Sequence, residues 1–181
     1  IGSPLGGTWA TLANTFLYQP ATDRRYAWRV GNGSGRLITA DGDGRPAQLL
    51  GGPQSLTLGY TAGLDSLQAI TDNVLPANSS SFTYDPVDRL KTVTRSGDSQ
   101  VFGWDTVGNR TTHTRAASSW TITPATSSNR IASISGSTSR SLGYDAMGNV
   151  TSDSLGGRTY AYDGFNRLHA LYVNGTIIAD Y

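Results

Sequence analysis

The two histidines, His113 and His169, are the residues of this chain best suited to acid–base chemistry. A catalytic histidine needs a nucleophile within reach and a partner that orients the ring. No Gly-x-Ser-x-Gly segment supplies an activated serine, and the two histidines lie too far apart in sequence to form a local metal site. We therefore expect both to be ordinary residues of strands that follow turns.

Two glycine-rich segments deserve comparison with known binding loops. Asp41-Gly42-Asp43-Gly44 resembles the start of a calcium loop or a metal–nucleotide motif, but Gly51 and Gly52 downstream offer no carboxylate. The segment 31–35 lacks the full phosphate-binding pattern. We interpret the first as a turn and the second as a connecting loop. The sequence predicts no catalytic residue, no metal site, no cofactor and hence no enzymatic activity.

The composition excludes several other classes of protein. There is no Cys and no Glu among the 181 residues, so thiol chemistry, disulfides and glutamate-dependent sites are absent. A net charge of +1 offers no general attraction for nucleic acid, and no apolar run is long enough to span a membrane as a helix. The first residues, 1–4, are neither an initiator Met nor a signal peptide, which favours a piece of a longer polypeptide.

An internal repeat of about 20 residues organises the chain. Each copy has an aromatic anchor, an Asp, two variable residues, a Gly-like residue, and then Asn or Arg. The residues that carry this signature are Tyr84, Asp85, Arg89, Trp104, Asp105, Gly108, Asn109, Tyr144, Asp145, Gly148, Asn149, Tyr162, Asp163 and Arg167. Weaker anchors continue the register at Tyr18, Ala40, Tyr60, Pro124 and Tyr181.

A second column of apolar residues lies two positions before each anchor, as Phe82 does before Tyr84. Positions two apart share one face of a strand, so we expect these pairs to form the core. Leu90 and Val93, on the returning strand, are an odd number of residues apart. Either both faces of the sheet are partly apolar or a bulge intervenes.

The Asp that follows the anchor is typical of a turn, because its side chain can bond the backbone two residues further on. The Gly-like position then requires a positive φ, which Gly, Asn and Asp tolerate. It is occupied by Gly44, Asp88, Gly108, Gly148 and Asn166. Each repeat is therefore predicted to be one β-hairpin.

The predicted fold class is all-β, with repeated antiparallel β-hairpins forming an extended curved or spiralling sheet, a section of a β-shell. Residues 1–15 are predicted to be an irregular lead-in or a preceding repeat. Residues 16–181 are predicted to hold about eight hairpin units. Gly, Ser and Thr make up 64 of the 181 residues, and only one Lys is present, which argues against a helical fold.

The repeat resembles the YD repeat of the Rhs/YD-repeat family over residues 16–181, on the signature residues named above. The resemblance implies a sheet that spirals into a hollow shell. In bacterial Rhs toxins and insecticidal toxin complexes such a shell encloses a C-terminal toxin, whereas in teneurins related repeats lie on cell surfaces. The family's terminal autoproteolysis motif is absent here, because Asp85-Pro86 continues as Val87-Asp88 within an ordinary repeat.

The resemblance implies a non-enzymatic wall that encapsulates a toxin or other cargo polypeptide for delivery. Its partners would be the rest of the same polypeptide, the enclosed C-terminal cargo, and secretion-system or cell-surface proteins. Its location would be secreted or at the cell surface after export from a bacterium. The alternative is a cell-surface adhesion module that binds carbohydrate or protein, with Trp28 and Trp120 as the glycan-stacking residues.

Overall fold

The computed structural model describes residues 2–5 and 8–181, with side chains from residue 11 onward. Apart from one short 3-10 helix, Pro76–Asn78, the described elements are all strands. They are β1 (Gly2–Leu5), β2 (Thr8–Thr11), β3 (Ala13–Tyr18), β4 (Arg25–Val30), β5 (Gly35–Ala40), β6 (Pro46–Gly51), β7 (Gln54–Tyr60), β8 (Leu67–Asp72), β9 (Ser80–Tyr84), β10 (Leu90–Arg95), β11 (Gln100–Trp104), β12 (Arg110–Arg115), β13 (Ser118–Pro124), β14 (Ile131–Gly136), β15 (Arg140–Tyr144), β16 (Val150–Asp153), β17 (Arg158–Tyr162), β18 (Leu168–Val173) and β19 (Thr176–Asp180). The all-β fold class is confirmed.

The chain forms two compact units, Ile1–Ser99 and Gln100–Tyr181. In the first unit, strands β3 to β10 pair in sequence order, each antiparallel to the next, and β1 pairs with β2. In the second unit, β11 to β19 pair in the same consecutive way. The described part of each unit holds four repeat hairpins, one for each anchor from Tyr18 to Tyr162.

A β-bulge follows the turn of each repeat hairpin and explains the odd spacing on the returning strand. Tyr84 pairs with Leu90 and Phe82 pairs with Val93, so Lys91 is an extra residue in β10. Of the two interpretations left open by the sequence, the bulge is therefore correct. The same register shift occurs beside the other anchors, Tyr18, Ala40, Tyr60, Trp104, Pro124, Tyr144 and Tyr162.

The bulges place three sets of residues on one face of the sheet: the anchors, the residues two positions before them, and the cross-strand partners of both. We call this face the anchor face. The opposite face, the hydroxyl face, is rich in Ser and Thr. In the second unit it carries Thr112, Thr114, Thr121, Thr123, Ser133, Ser135, Ser141, Ser152 and Thr159. Cross-strand hydroxyls bond directly in the first unit, where Thr83 and Thr92 are 2.6 Å apart.

Glycine precedes two anchors at places where the partner strand comes close. Gly103 and Gly143 lie on the hydroxyl face opposite Thr112 and Ser152. A Cβ at either position would clash with the hydroxyl of the partner residue. A side chain at either position would require that hydroxyl to rotate away, and the pair Thr83–Thr92 shows that the same place in another hairpin holds side chains on both strands.

The anchor columns are a half-buried surface, which corrects the expectation that they form a core. Among the described residues, only Ile122 and Ala170 are buried hydrophobic residues, and the anchors Tyr18 and Tyr181 are exposed. The reason is that the substantial contacts are all between elements adjacent in sequence, so no second layer covers the anchor face within a unit.

Candidate functional site

The signature Asp accepts the hydrogen bonds that define each repeat turn. Asp85 Oδ1 accepts bonds from the backbone N–H groups of Val87 and Arg89, both at 3.0 Å. Its Oδ2 accepts a bond from Arg89 Nε at 2.7 Å, and the N–H of Asp88 donates to the Asp85 carbonyl. Asp88 has a φ of 60°, as the Gly-like position requires. The predicted turn chemistry is confirmed in detail.

The same carboxylate geometry recurs around four other aspartates of the repeat. In each, the side chain of the residue four positions later also donates to the carboxylate, an Arg in two turns and an Asn in the other two. The pairs are Asp41–Arg45, Asp105–Asn109, Asp145–Asn149 and Asp163–Arg167.

These hydrogen bonds favour the ionised carboxylates. The side chain of Asn109 lowers the pKa of Asp105, and the side chain of Arg167 lowers that of Asp163, each with help from backbone N–H groups. At Asp85, partial burial raises the pKa, but bonds from Arg89 outweigh it and the net change is a lowering. The aspartates are thus ionised hydrogen-bond acceptors in the turns at neutral pH.

Neighbouring turns of the second unit are linked to one another through the last signature position. Asn109 Nδ2 donates to Asn129 Oδ1 at 3.2 Å, and Asn149 Nδ2 donates to Asn166 Oδ1 at 3.0 Å. Between them, Arg130 Nη1 donates to the backbone carbonyl of Asp145 at 3.4 Å. The turns along this edge therefore form a continuous hydrogen-bonded row.

The anchor tyrosines join each hairpin to the one before it. The hydroxyl of Tyr144 donates to the carbonyl of Ile131 at 2.9 Å, and the hydroxyl of Tyr162 donates to the carbonyl of Val150 at 3.1 Å. In each case the acceptor is the residue that pairs with the preceding anchor. Tyr60 and Tyr84 make the same bond in the first unit. This bond explains why the repeat prefers Tyr at the anchor.

Replacing Tyr144 by Phe removes this hydroxyl and keeps the ring. We expect the free energy of unfolding to fall by about 0.5–1.5 kcal/mol, the usual net worth of one hydrogen bond. Urea denaturation followed by tryptophan fluorescence measures the change. Tyr172→Phe is the matched control, since no hydroxyl bond of Tyr172 is recorded in the described residues. An equal loss in both variants would contradict the role of the anchor hydroxyl.

An aromatic stack crosses three strands on the anchor face of the second unit. His113 lies between Phe102 and Trp120, with ring centroids 4.9 Å and 5.3 Å away. Its Nε2 is 3.0 Å from Gln100 Oε1. Partial burial lowers the pKa of His113, and the positive charges of Arg110 and Arg115 lower it further. The expected strand position is confirmed, with the imidazole acting as a neutral ring in the stack.

The lowered pKa makes the second unit sensitive to acid. An unfolded histidine takes up a proton near pH 6.5, whereas folded His113 does so only at lower pH. The stability that depends on the neutral ring is complete above about pH 6.5 and falls as the pH drops from there through the folded pKa. We expect His113→Gln to flatten the decline in the free energy of unfolding between about pH 7.5 and pH 5. An unchanged slope in His113→Gln would contradict this assignment.

One ion pair on the anchor face is largely buried. Asp153 is only 3% exposed, and its Oδ2 lies 2.5 Å from Arg140 Nη2. Its Oδ1 accepts a bond from the backbone N–H of Leu155 at 2.9 Å. Asp153 pairs with Leu142, in the place where other repeats put an apolar or aromatic residue. The sequence analysis missed this pair, because the alignment of Arg140 with Asp153 depends on the cross-strand register.

The two tryptophans expected to stack on glycans lie in different units. The guanidinium of Arg25 is 4.5 Å from the ring centroid of Trp28. Trp120 stacks on His113, and its Nε1 donates to Thr138 Oγ1 at 2.8 Å. Each ring thus already has a partner on the anchor face of its own unit.

The aspartates compared with a calcium loop are held by one arginine. Arg45 Nε donates to Asp41 Oδ2 at 2.8 Å, and its other nitrogens lie 3.0 Å from Asp43 and 3.2 Å from Asp65. The turn interpretation of this segment is confirmed. Within residues 2–5 and 8–181, no group of three potential metal ligands is found. No helix in the same residues is long and apolar enough to cross a membrane.

The two residues after the signature Asp look variable in the sequence, but in four of the turns the second of them has a shared property. It is a large apolar side chain that lies exposed at the tip of the turn, in Val87, Val107, Met147 and Phe165. Four residues of the same class in the same turn position would have been a usable signal in the sequence.

The backbone fold of the chain is similar to parts of solved structures. No protein-family model and no curated protein matches the sequence. The chain is similar to part of the crystal structure of TcdB2-TccC3-Cdc42, with a TM-score of 0.64 and 15% identity over 94% of this chain. Its fold is therefore that of a part of this toxin-complex structure.

Two further structures support this likeness. Part of the Photorhabdus luminescens Tc holotoxin pore matches 93% of the chain with a TM-score of 0.63 and 14% identity. Part of TcdB2-TccC3 also matches 93%, with a TM-score of 0.63 and 15% identity. The chain spans only 11–12% of the length of the chains that it matches. At these identities the likeness establishes the shared fold.

Proposed function

We propose that this chain is a non-enzymatic section of the wall of an Rhs/YD-repeat shell, which encloses a toxin or other cargo polypeptide for delivery. The observation that carries the proposal is the fold match to toxin-complex structures over 94% of the chain. The wall would be completed by the rest of the same polypeptide, and the cargo would be its C-terminal segment. We further propose that the protein is exported from a bacterium and acts outside the cell.

The interactions within each unit suit a wall. The anchor hydroxyls tie successive hairpins together, and the signature side chains tie successive turns together. The signature aspartates accept structural hydrogen bonds, and His113 packs between two rings. These contacts give the polar residues of the repeat a structural role, which supports the proposal that this section of the protein is not an enzyme.

Limited proteolysis of the full-length polypeptide tests this function. The C-terminal segment should resist a broad-specificity protease in the intact protein. Asp153→Ala, which weakens the second unit, should make that segment digest faster. Asp180→Ala, an exposed aspartate of β19, is the matched control and should behave like the unmodified protein. Equal digestion of the C-terminal segment in all three proteins, at the rate of an unprotected chain, would overturn the proposal.

A further inference from the structure

Two hairpins lack the aromatic anchor that the others share. Ala40 and Pro124 stand where the other repeat hairpins have Tyr or Trp. At four of those other anchors, the tyrosine hydroxyl reaches the carbonyl of the residue that pairs with the preceding anchor. For positions 40 and 124, the residue that pairs with the preceding anchor is Arg25 or Arg110. Each of these arginines therefore lies beside the place that an anchor ring would take.

An arginine opposite the anchor is itself a departure from the repeat. In the other six hairpins an apolar residue holds this position: Pro46, Leu67, Leu90, Ile131, Val150 and Leu168. Arg25 and Arg110 are charged and exposed. The missing ring and the added guanidinium occur together twice, once in each unit. The sheet does not need this combination, because the other neighbouring hairpins pair in the same way without it.

A hollow lies beside each of the two arginines. In the first unit its volume is about 320 Å³, and its lining includes Arg25, Ile38, Ala40 and Pro46. In the second unit the volume is about 350 Å³, and the equivalent lining residues are Arg110, Ile122, Pro124 and Ile131. Polar turn residues border each hollow, among them Arg24 and Asn109. These volumes are at the small end of ligand pockets and suit a side chain better than a cofactor.

Both guanidinium groups can receive an anion. That of Arg25 lies over the rings of Phe16 and Trp28, at 5.5 Å and 4.5 Å from their centroids, and that of Arg110 lies 5.9 Å from the Phe102 centroid. Within the part of the chain that the structure describes, neither guanidinium makes a hydrogen bond or an ion pair. A ring face is a weak acceptor, so the planar N–H fork of each arginine remains able to bind a carboxylate with two hydrogen bonds.

We propose that each hollow binds an aromatic side chain of an extended polypeptide segment that carries a carboxylate two residues away. The ring takes the place of the missing anchor, and the carboxylate pairs with Arg25 or Arg110. Alternate residues of an extended segment point to the same side, about 6.7 Å apart, so both groups reach one site. In the proposed wall the segment belongs to the enclosed cargo. That source rests on the proposed function, whereas the binding chemistry does not.

Two other occupants fit less well. A nucleotide also combines a ring with an anion, but the place left by one phenol ring is smaller than a base with its sugar. The net charge of +1 also gives nucleic acid no general attraction. The signature aspartates of a second copy, such as Asp85 and Asp163, already accept hydrogen bonds within their own turns. An acidic, aromatic segment that is not a repeat turn therefore suits the two hollows best.

A labelled peptide tests this binding directly. The fluorescence anisotropy of fluorescein-labelled Gly-Tyr-Ser-Glu-Gly should rise with the concentration of the 181-residue chain between about 10 and 1000 μM, because one ring and one ion pair give a weak affinity. The same peptide with Gln in place of Glu should bind at least about fivefold more weakly, because its hydrogen bonds to arginine are no longer charge-assisted at both ends. This change is in the peptide and cannot alter the folding of the chain.

Restoring the missing rings should block both hollows without weakening the sheet. Ala40→Tyr combined with Pro124→Tyr should abolish peptide binding. The melting temperature should stay the same or rise, because the new side chains repeat the packing of the other anchors and Tyr favours strands. A loss of binding in a chain of unchanged stability cannot come from misfolding. Arg25→Gln combined with Arg110→Gln should weaken binding at least about fivefold.

The matched control removes the same charge elsewhere. Arg29→Gln combined with Arg158→Gln changes two exposed arginines that are not in the lining of either hollow, and this variant should bind like the unmodified chain. Equal losses in the control and in the Arg25, Arg110 variant would overturn the inference. So would equal binding of the two peptides, no binding up to about 1000 μM, or unchanged binding in the Ala40→Tyr, Pro124→Tyr variant.

Two further results would assign the hollows to another occupant and so overturn the inference. One is an oligothymidine that binds more tightly than the peptide and is lost in the same variants. The other is self-association of the chain in sedimentation velocity that the same variants abolish. None of these outcomes affects the protease protection test, so the two proposals fail separately.

Discussion

Replacing Asp153 by alanine is expected to lower the free energy of unfolding of the second unit by about 3 kcal/mol, at the lower end of what breaking a buried ion pair costs. Asp153 is 3% exposed, so its carboxylate is almost removed from water. Its loss would leave the Arg140 guanidinium without its charge partner beside an Nε that already lacks a bond. The backbone N–H of Leu155 would lose its acceptor as well.

Urea unfolding followed by tryptophan fluorescence measures this change. Asp180→Ala is the matched control, because the Asp180 side chain is 62% exposed and lies 3.6 Å from its nearest ionic partner, His169. Exposed pairs of this kind contribute little, so the control should lose less than about 0.5 kcal/mol. A loss below about 1 kcal/mol in Asp153→Ala would show that the buried pair does not hold the hairpins of the second unit together.

Replacing Ile122 by alanine is expected to cost about 2–3 kcal/mol. Ile122 is 5% exposed, and it lies opposite Ile134 on β13, between strands β12 and β14. Truncating a buried isoleucine loses the transfer free energy of three carbons and leaves a cavity. The low end of the usual range applies because the hollow beside Ile122 is already open to solvent.

The same unfolding experiment compares the buried Ile122 with an exposed apolar residue of the same unit. Val101→Ala removes apolar carbons from an exposed residue of the hydroxyl face, and it should cost less than about 0.5 kcal/mol. Similar losses in both variants would mean that the different exposure of Ile122 and Val101 does not determine the cost of truncating them.

Much of the fold could be predicted from the sequence, because the repeat encodes local geometry. An Asp after an aromatic residue, followed by a residue that tolerates positive φ, determines a turn through contacts within five residues, as in 85–89. The repeat period then determines the length of each hairpin, and the alternation of Thr with apolar residues determines which face of the sheet each side chain is on. Each of these signals depends on neighbours along the chain.

The features that were missed depend on neighbours across the sheet. The extra residue at Lys91 becomes evident only from the pairing of Tyr84 with Leu90. The partnership of Arg140 and Asp153 likewise requires the register of β15 and β16. The expectation of a core in the anchor columns was wrong, because periodicity shows which side chains share a face but cannot show whether another layer covers it.

Thiol labelling of the full-length polypeptide tests most directly whether this chain is a wall. Arg158 and Thr159 are adjacent on β17, are both exposed, and belong to the anchor face and the hydroxyl face respectively. These 181 residues contain no Cys, so single cysteines at the two positions report one face each once any cysteines in the rest of the polypeptide have been replaced by serine. If the chain is part of an enclosing wall, a bulky maleimide should react at least about tenfold more slowly with one of the two cysteines than with the other in the folded protein. After unfolding, the two cysteines should react at equal rates. Equal rates at Arg158→Cys and Thr159→Cys in the folded protein would contradict an enclosing wall.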